Sequence, residues 1–396
     1  MSVYKRNKTW TAHAKWTDRE GKPQQKAKGG FPTKKAAEKA ERELLSQVDS
    51  GRLFGGSSPS LADYLVKTWL PKHRQLSSLK ASTYETYKML ISVYINPKIG
   101  NTRINEIGTV QLENLYMELQ NFGRAKTRKS GDQTLSAKTV RNIASIIQKA
   151  LKDAVRTGLI PFNPSDSALK PKMTSTEAEF MTPENLMKYV ASIQNHRYGA
   201  ILQLEALTGM RRGELLGLSW SDVDFKTGKI KIHRTRIRAG NQTIFDTPKS
   251  KKSRRTIEID TFTLKKLQAW KIYQAKERLM LGGTWSDTED LVVTDPTGKP
   301  PSFSAFDRMF KKTLRDAGLE KMKFHSMRHS YVVAALHHGG ALKTVSERVG
   351  HAEPAITNRI YNHVVEGDDR NLADKTALFI LGIPDPQVGV KSAQSS

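Results

Sequence analysis

The chain contains no cysteine, which excludes a disulfide framework and zinc sites built on thiolates. It has no apolar run near the roughly 18 residues of a membrane span. The N-terminus, MSVYKRNKTW, lacks the apolar core of a signal peptide. A Gly-x4-Gly-Lys-Ser/Thr phosphate loop is missing as well, so an ATP-driven motor is not expected. These absences favour a soluble, intracellular protein without a membrane partner.

Acidic residues are also few relative to basic ones. The 396 residues include 65 lysines and arginines against 39 aspartates and glutamates, a formal net charge of +26. Such an excess favours a polyanionic partner, most simply nucleic acid, over an anionic membrane surface. The length predicts about two or three domains and a sizeable core.

The first 55 residues have the pattern of a small sheet followed by a helix. A half-buried strand is predicted at TWTAHAKW, where polar and apolar residues alternate, and a second strand at QQKAKGGF. A helix is predicted at TKKAAEKAERELLSQV. We place a first domain at 1–55 and select Lys26 and Lys28 as candidate DNA contacts, an ordinary basic surface being the alternative.

A helical domain is predicted at 60–165, since four segments there carry apolar stripes at three-four spacing. Its last helix offers four candidate phosphate contacts, Lys138, Arg141, Lys149 and Lys152. A stretch rich in proline and serine near 163–178 is the expected linker to a third domain. The remaining expected boundaries are 175–384 for that third domain and 385–396 for a flexible tail.

The stretch from His325 to the end of the third domain concentrates residues that suit phosphate chemistry. His325 and Arg328 are three apart and share one face of a helix. His351 follows a loop-like break, and Tyr361 lies ten residues later. Arginine binds phosphate with a planar fork of donors, histidine exchanges protons near neutral pH, and tyrosine can form a covalent link.

These segments resemble the tyrosine recombinase family, also called the phage integrase family. The family pattern is H-x-x-R, then L-G-H, then a tyrosine followed two residues later by histidine. Further upstream, LEALTGMRRGELLGLSWSDVDF resembles the family's first arginine segment, and TPKSKKSRRTIEI its lysine-bearing hairpin. The resemblance implies six catalytic positions: Arg211, Lys249, His325, Arg328, His351 and Tyr361.

Two of these assignments have rivals in the sequence. Arg212 competes with Arg211, although the family arginine directly follows T-G-x. Lys251 and Lys252 compete with Lys249 and are otherwise candidate DNA contacts. Glu214, three residues after Arg211, is expected to form a salt bridge with it.

The resemblance also implies a fold and an activity. The expected fold is α+β: a small three-stranded sheet with a helix that binds arm sites, a helical core-binding bundle, and a mainly helical catalytic domain with a small sheet. The expected activity is site-specific DNA recombination through a 3′-phosphotyrosyl intermediate and a Holliday junction, which integrates or excises a phage genome or mobile element. A homotetramer on double-stranded DNA, aided by DNA-bending proteins, would act in the cytoplasm of a bacterial host.

No cofactor and no metal is expected. His325 and His329 are spaced like half a metal site, but no third ligand stands out. Two other functions stay open: a type IB topoisomerase-like enzyme, which shares the chemistry, and a non-catalytic DNA-binding regulator. The sheet–helix domain argues against the first, and the complete residue set argues against the second.

Overall fold

The computed structural model of the chain describes residues 3–17, 23–49, 58–123, 133–173, 179–240, 242–246, 254–287 and 289–351. The chain divides into two compact units, Met1–Ser175 and Thr176–Ser396. Within the described ranges, no helix is both long and apolar enough to cross a membrane.

The first unit begins with an antiparallel sheet of order β1-β2-β3 that packs against one helix. The elements are β1 Val3–Arg6, β2 Thr9–Thr17, β3 Pro23–Phe31 and α1 Lys34–Asp49. Because successive strand residues point to opposite faces, Ala12 and Ala14 share the face that α1 covers, and both are buried. Ala37, Ala40 and Leu44 pack against them at the three-four spacing of a helix.

A helical bundle follows among the described residues of this unit. Its elements are α2 Leu61–Asp63, α3 Leu70–Leu76, α4 Ala81–Leu90, α5 Asn96–Ile99, α6 Thr109–Phe122 and α7 Ala137–Arg156. Wide helical turns, Tyr64–Trp69 and Ile91–Ile95, join α2 to α3 and α4 to α5. Each wide turn ends just before a proline, Pro71 or Pro97, which lacks the amide donor that a regular helix requires.

The stretch after α7 packs on the bundle and is not a linker over its whole predicted length. Ile160 and Ala168 are buried in the core of the bundle. The amide of Gln148 on α7 donates to Asp166, and Lys170 donates back to Gln148. The prediction of a linker from residue 163 is therefore wrong for 163–170, because composition alone does not reveal these contacts.

The second unit combines helices with two small sheets. Its helices are α8 Pro183–Ser192, α9 Gly199–Thr208, α10 Arg212–Leu215, α11 Thr261–Leu281, α12 Phe303–Asp316, α13 Phe324–His337 and α14 Leu342–Val349. Its strands are β4 Val223–Asp224, β5 Lys229–Ile232, β6 Thr235–Ala239, β7 Gln242–Asp246 and β8 Arg255–Glu258. The sheets are β4-β5-β8 and the hairpin β6-β7, both antiparallel.

Two clusters of buried apolar residues fix the positions of α9, α13 and α14 in this unit. The larger cluster surrounds α9, whose Ile201, Leu202 and Leu204 are fully buried. The smaller one packs Val332 and Leu336 of α13 against α14. This packing brings the end of α14 beside the first half of α13. The architecture confirms the predicted fold class, a mainly helical chain with small sheets.

Candidate active site

The candidate catalytic side chains come together at the turn that ends α14. Gly350 adopts the left-handed conformation, with φ +68°, and the amide of His351 donates back to the carbonyl of Ser346 at 3.0 Å. A side chain on Gly350 would be strained, and its Cβ would lie 3.1 Å from a nitrogen of Arg255. Glycine is therefore required here, and the turn fixes the direction in which His351 leaves the helix.

A second left-handed glycine places Arg211. Gly209 has φ +60° and caps α9, since its amide donates to the carbonyl of Glu205 at 2.8 Å. The chain then turns, and Arg211 stands immediately before α10. Its Nη2 donates to the carbonyl of Gly350 at 2.7 Å, so two segments 139 residues apart meet.

Arg328 approaches the same turn from α13. Its side chain is only 1% exposed. Nε donates to Nε2 of His351 at 3.3 Å, Nη1 to the carbonyl of Gly209 at 2.8 Å, and Nη2 to the carbonyl of Val349. Burial, with the nearby charge of Arg211, lowers the pKa of Arg328 to about 9, so it remains a cation at neutral pH.

Glu214 is a buried carboxylate shared by two arginines. Arg211 donates to Oε1 at 2.8 Å through Nη1 and to Oε2 at 3.0 Å through its amide. Arg255 donates to the same two oxygens at 3.2 and 3.0 Å. Burial raises the pKa of Glu214, but the charges of Arg255 and Arg211 outweigh it and the net shift is downward. The expected pair with Arg211 is present.

Arg255 is the residue that the sequence analysis missed. It was one basic residue in a basic run, and the only available signal was its position at the start of the strand-like RTIEI. Its side chain is 7% exposed, and its Nε donates to the carbonyl of Arg348 at 2.6 Å.

Two imidazoles complete the cluster. Desolvation, with the charges of Arg328 and Arg211, lowers the pKa of His351 to about 3. His325 is more exposed and lies beside Arg211 in the wall of a cavity of about 720 Å³. Desolvation and its neighbours His329 and Arg328 lower the pKa of His325 to about 4. Both rings are therefore neutral at pH 7.

Three models of protein families match the chain. The phage integrase family matches residues 179–367, an arm DNA-binding domain matches 2–48, and the SAM-like N-terminal domain of phage integrases matches 63–120. A protein named tyrosine recombinase XerC-like from Caldanaerobacter subterraneus is 30% identical over 360 residues, which is 86% of this chain and 89% of the relative. The chain belongs to the tyrosine recombinase family. It is a site-specific recombinase, an enzyme that breaks and rejoins DNA strands.

Solved structures share the fold of this recombinase. The Tn1549 transposon integrase in complex with transposon right end DNA aligns with a TM-score of 0.64 at 19% identity, over 80% of this chain and 99% of the other. A lambda integrase tetramer bound to a Holliday junction aligns with a TM-score of 0.54 at 17% identity, over 89% and 96%.

The structure thus brings together Arg211, His325, Arg328 and His351 of the recombinase. The other two positions that the resemblance implied, Lys249 and Tyr361, lie outside the described residues, as do Lys251 and Lys252. Among the described residues, no group of three or more histidine and carboxylate side chains is arranged to hold a metal.

Arg212 lines the same cavity as Arg211 and His325 but has different bonded partners. It pairs with Asp307 of α12, and its guanidinium lies 4.8 Å from the centre of the Phe303 ring. Unlike Arg211, it does not donate to the turn at Gly350 in the described contacts. The geometry therefore favours Arg211 as the arginine of the site.

The register of the N-terminal sheet places the two predicted DNA contacts, Lys26 and Lys28, on the face that α1 covers and not on the opposite, open face. Lys26 lies opposite Ala14 and Lys28 opposite Ala12, and directly opposed residues project on the same side of a sheet. Both lysines are exposed but belong to the face on which α1 packs. The sequence did not reveal this, because the pairing of β3 with β2 sets the side.

The open face carries a different set of side chains. His13 and Gln25 are hydrogen-bonded at 3.2 Å, and the ring of Tyr4 packs edge-on against His13. Lys15 lies opposite Gln25 and is exposed. This face is polar and aromatic, and the exposed Lys15 lies at its end.

The predicted contacts on α7 are all exposed and lie on one side of the helix. Two of them have partners within the bundle: Arg141 donates to the carbonyl of Pro171 at 2.9 Å, and Lys149 to the hydroxyl of Tyr87 at 2.9 Å. Lys138 lies in the first turn of α7, where the helix dipole also favours an anion.

Proposed function

We propose that this recombinase cleaves DNA with Tyr361 as the nucleophile and binds the scissile phosphate between Arg211 and Arg328. The observation that carries the proposal is the charge balance at the turn that ends α14. The guanidinium groups of Arg211 and Arg255 bind one carboxylate held ionised, Glu214, and that of Arg328 interacts with it at longer range. An anion that enters this site meets an excess of positive charge.

Arg328 contributes most to this excess. Its described hydrogen-bond partners are two carbonyl oxygens and a neutral imidazole, none of which carries a compensating charge. Glu214 and Glu205 act on Arg328 only at longer range, so an anion that binds directly beside this buried cation lowers the cost of its burial. Phosphate, with charge that grows in a pentavalent transition state, is the ligand that suits this arrangement best.

The covalent step follows from these roles. The Tyr361 oxygen bonds to phosphorus, the bond to the 5′-oxygen breaks, and a 3′-phosphotyrosyl link and a 5′-hydroxyl result. Lys249 gives its proton to the 5′-oxygen, and neutral His325 accepts the phenol proton. His351, which accepts from Arg328 at Nε2, carries its proton at Nδ1 and donates to the phosphate. The link conserves the phosphoester, so rejoining needs neither ATP nor metal.

Each of the three domains has its own role in DNA binding, and a tail follows them. Residues 1–55 bind arm sites, 60–165 and 175–384 bind the core site from two sides, and 385–396 form a tail. Four protomers hold two duplexes and exchange strands through a Holliday junction, with help from DNA-bending proteins, in the cytoplasm of a bacterial host. The product is an integrated or excised phage genome or mobile element. The likeness to the lambda integrase tetramer on a junction supports this assembly.

Neighbouring arginines allow a direct test of the cleavage site. Arg211→Ala should lower the rate of cleavage of a nicked suicide substrate about 10²- to 10³-fold, because one donor to the transition state is lost. Arg212→Ala removes the same charge one residue away and should cleave within about threefold of the wild type. Quenched time courses on denaturing gels measure both rates, with and without EDTA. Equal losses in the two variants, or inhibition by EDTA that a divalent ion reverses, would contradict the proposal.

The open face of the N-terminal sheet is expected to contact arm-site DNA. Lys15→Ala should weaken binding to an arm-site duplex and reduce the slope of log affinity against log salt by about one, as for one lost phosphate contact. Lys26→Ala is the matched control on the helix-covered face and should bind nearly as the wild type. Fluorescence anisotropy at several salt concentrations measures both.

Deletion of residues 1–55 completes the arm-site prediction. Cleavage of a core site should be spared, whereas integrative recombination should be lost. If the shortened protein integrates as well as the full chain, the arm-binding role is wrong.

A further inference from the structure

Arg255 and Arg211 both form a salt bridge with Glu214 in the site. The guanidinium of Arg211 donates to Oε1 of Glu214 at 2.8 Å, and that of Arg255 donates to Oε1 at 3.2 Å and to Oε2 at 3.0 Å. We propose that Arg255 is a positioning residue: it holds Glu214 in place and charged while Arg211 shifts its donors toward the scissile phosphate. This inference rests on the proposed function, since it assumes that Arg211 binds that phosphate.

The two arginines differ in how firmly they are held. The side chain of Arg211 is 35% exposed, whereas that of Arg255 is 7% exposed. Arg255 is also tied to the carbonyl of Arg348 at 2.6 Å and packs against Gly350, where it occupies the space that a side chain would need. Arg211 also donates to the carbonyl of Gly350, so its exposure is what marks it as the member of the pair that can reach a phosphate, whereas Arg255 is buried.

Glu214 explains why a second arginine is needed. Its side chain is 2% exposed, so if Arg211 were its sole counter-charge, movement of Arg211 would leave a buried ionised carboxylate with no opposite charge beside it. When Arg211 turns its donors toward phosphate, Arg255 still supplies two hydrogen bonds and a positive charge to Glu214. The Glu214 carboxylate also accepts from the amide of Arg211, so holding it fixes the backbone from which the catalytic side chain extends.

Other charged groups also face Glu214. Arg328 and His325 interact with it at longer range, Arg328 as a cation and His325 as a neutral ring at pH 7. Removal of Arg255 leaves Arg211 as the one directly bound cation among the described residues. The pKa of Glu214 is then expected to rise, because burial already acts in that direction.

The test compares Arg255→Ala with Arg255→Lys in the full-length protein. On a suicide substrate, Arg255→Ala should cleave about 100-fold more slowly than the wild type at pH 7, the loss that misplacing a catalytic group typically causes. Its rate should fall further as the pH drops through the raised pKa of Glu214 and should recover at higher pH. Arg255→Lys keeps the charge, so it should recover most of the rate and lack this acid limb. If circular dichroism shows that Arg255→Ala does not fold, the cleavage rates of Arg255→Lys and Arg255→Gln are compared in the same way.

A modified substrate separates this role from an indirect effect on Lys249, which lies six residues before Arg255. With sulfur in place of the 5′-bridging oxygen, the leaving group is a thiolate that needs no general acid, since thiols are far more acidic than alcohols. Arg255→Ala should stay slow on this substrate, and so should Arg211→Ala. Full recovery, as expected for Lys249→Ala, would overturn the proposal, as would wild-type cleavage by Arg255→Ala at pH 6 to 8. Failure of the wild type itself to form a covalent complex would instead refute the proposed function.

Discussion

A Tyr361→Phe variant of this recombinase should bind its site DNA with wild-type affinity and form no covalent complex with it. The change removes one hydroxyl, the oxygen proposed to bond to phosphorus, and leaves the ring and its packing volume. Without that oxygen the first bond of the reaction cannot form, so the expected loss is complete rather than graded. Denaturing gels of labelled suicide substrate measure the covalent product, and gel shifts measure binding.

Tyr331→Phe is the matched control for this prediction. Tyr331 is close in sequence to Arg328, yet it packs with the apolar residues of α13 and α14, and burial raises the pKa of its hydroxyl. Its loss should leave the covalent product in place. A covalent band that survives in Tyr361→Phe would assign the nucleophile to another residue, and a band lost only in Tyr331→Phe would assign it there.

Arg328→Ala should lose both catalysis and stability. Cleavage should fall at least about 10²- to 10³-fold, since a donor to the phosphate is lost. The change also leaves the carbonyl oxygens of Gly209 and Val349 without the donors that bind them. Each buried group left unsatisfied costs roughly 1–3 kcal/mol, partly offset because a buried charge is removed as well. Thermal unfolding and single-turnover cleavage measure the two losses.

Arg315→Ala controls for the loss of one positive charge. Arg315 is exposed in the last turn of α12 and should change neither the melting temperature nor the cleavage rate appreciably. Near-normal cleavage by a folded Arg328→Ala protein would exclude Arg328 from the catalytic set. A melting temperature unchanged by Arg328→Ala would contradict the role of its hydrogen bonds to the two carbonyls.

Local patterns were sufficient for the secondary structure and for the order of the site segments. Alternation in TWTAHAKW predicted β2, and three-four spacing predicted α1, α6 and α7, because each pattern reflects one buried face of a single element. The pair of Arg211 with Glu214 was also predictable, since the two residues are three apart in one segment. The resemblance to the tyrosine recombinase family came from motifs of the same local kind.

Contacts between distant segments could not be predicted in this way. The resemblance assigned the catalytic role to Arg211 over Arg212, but the sequence did not reveal the contacts that separate them: Arg211 donates to Gly350, and Arg212 pairs with Asp307. It did not distinguish Arg255 from the basic residues around it, because its role depends on Glu214, 41 residues earlier. Composition likewise assigned 163–170 to a linker, although buried Ala168 and the polar contacts with α7 hold that stretch on the bundle.

The sequence by itself determined which chemical groups this recombinase carries, their order, and the elements that bear them. The tertiary structure decided which of these groups lie in contact and which charged side chains pair with one another. Two glycines with positive φ and the packing of α14 on α13 place Arg211, Arg328 and His351 around one turn. Strand pairing placed Lys26 on the helix-covered face and Lys15 on the open one. The physical reason is the same in each case: spacing along the chain fixes direction within one element, whereas only packing between elements fixes distance.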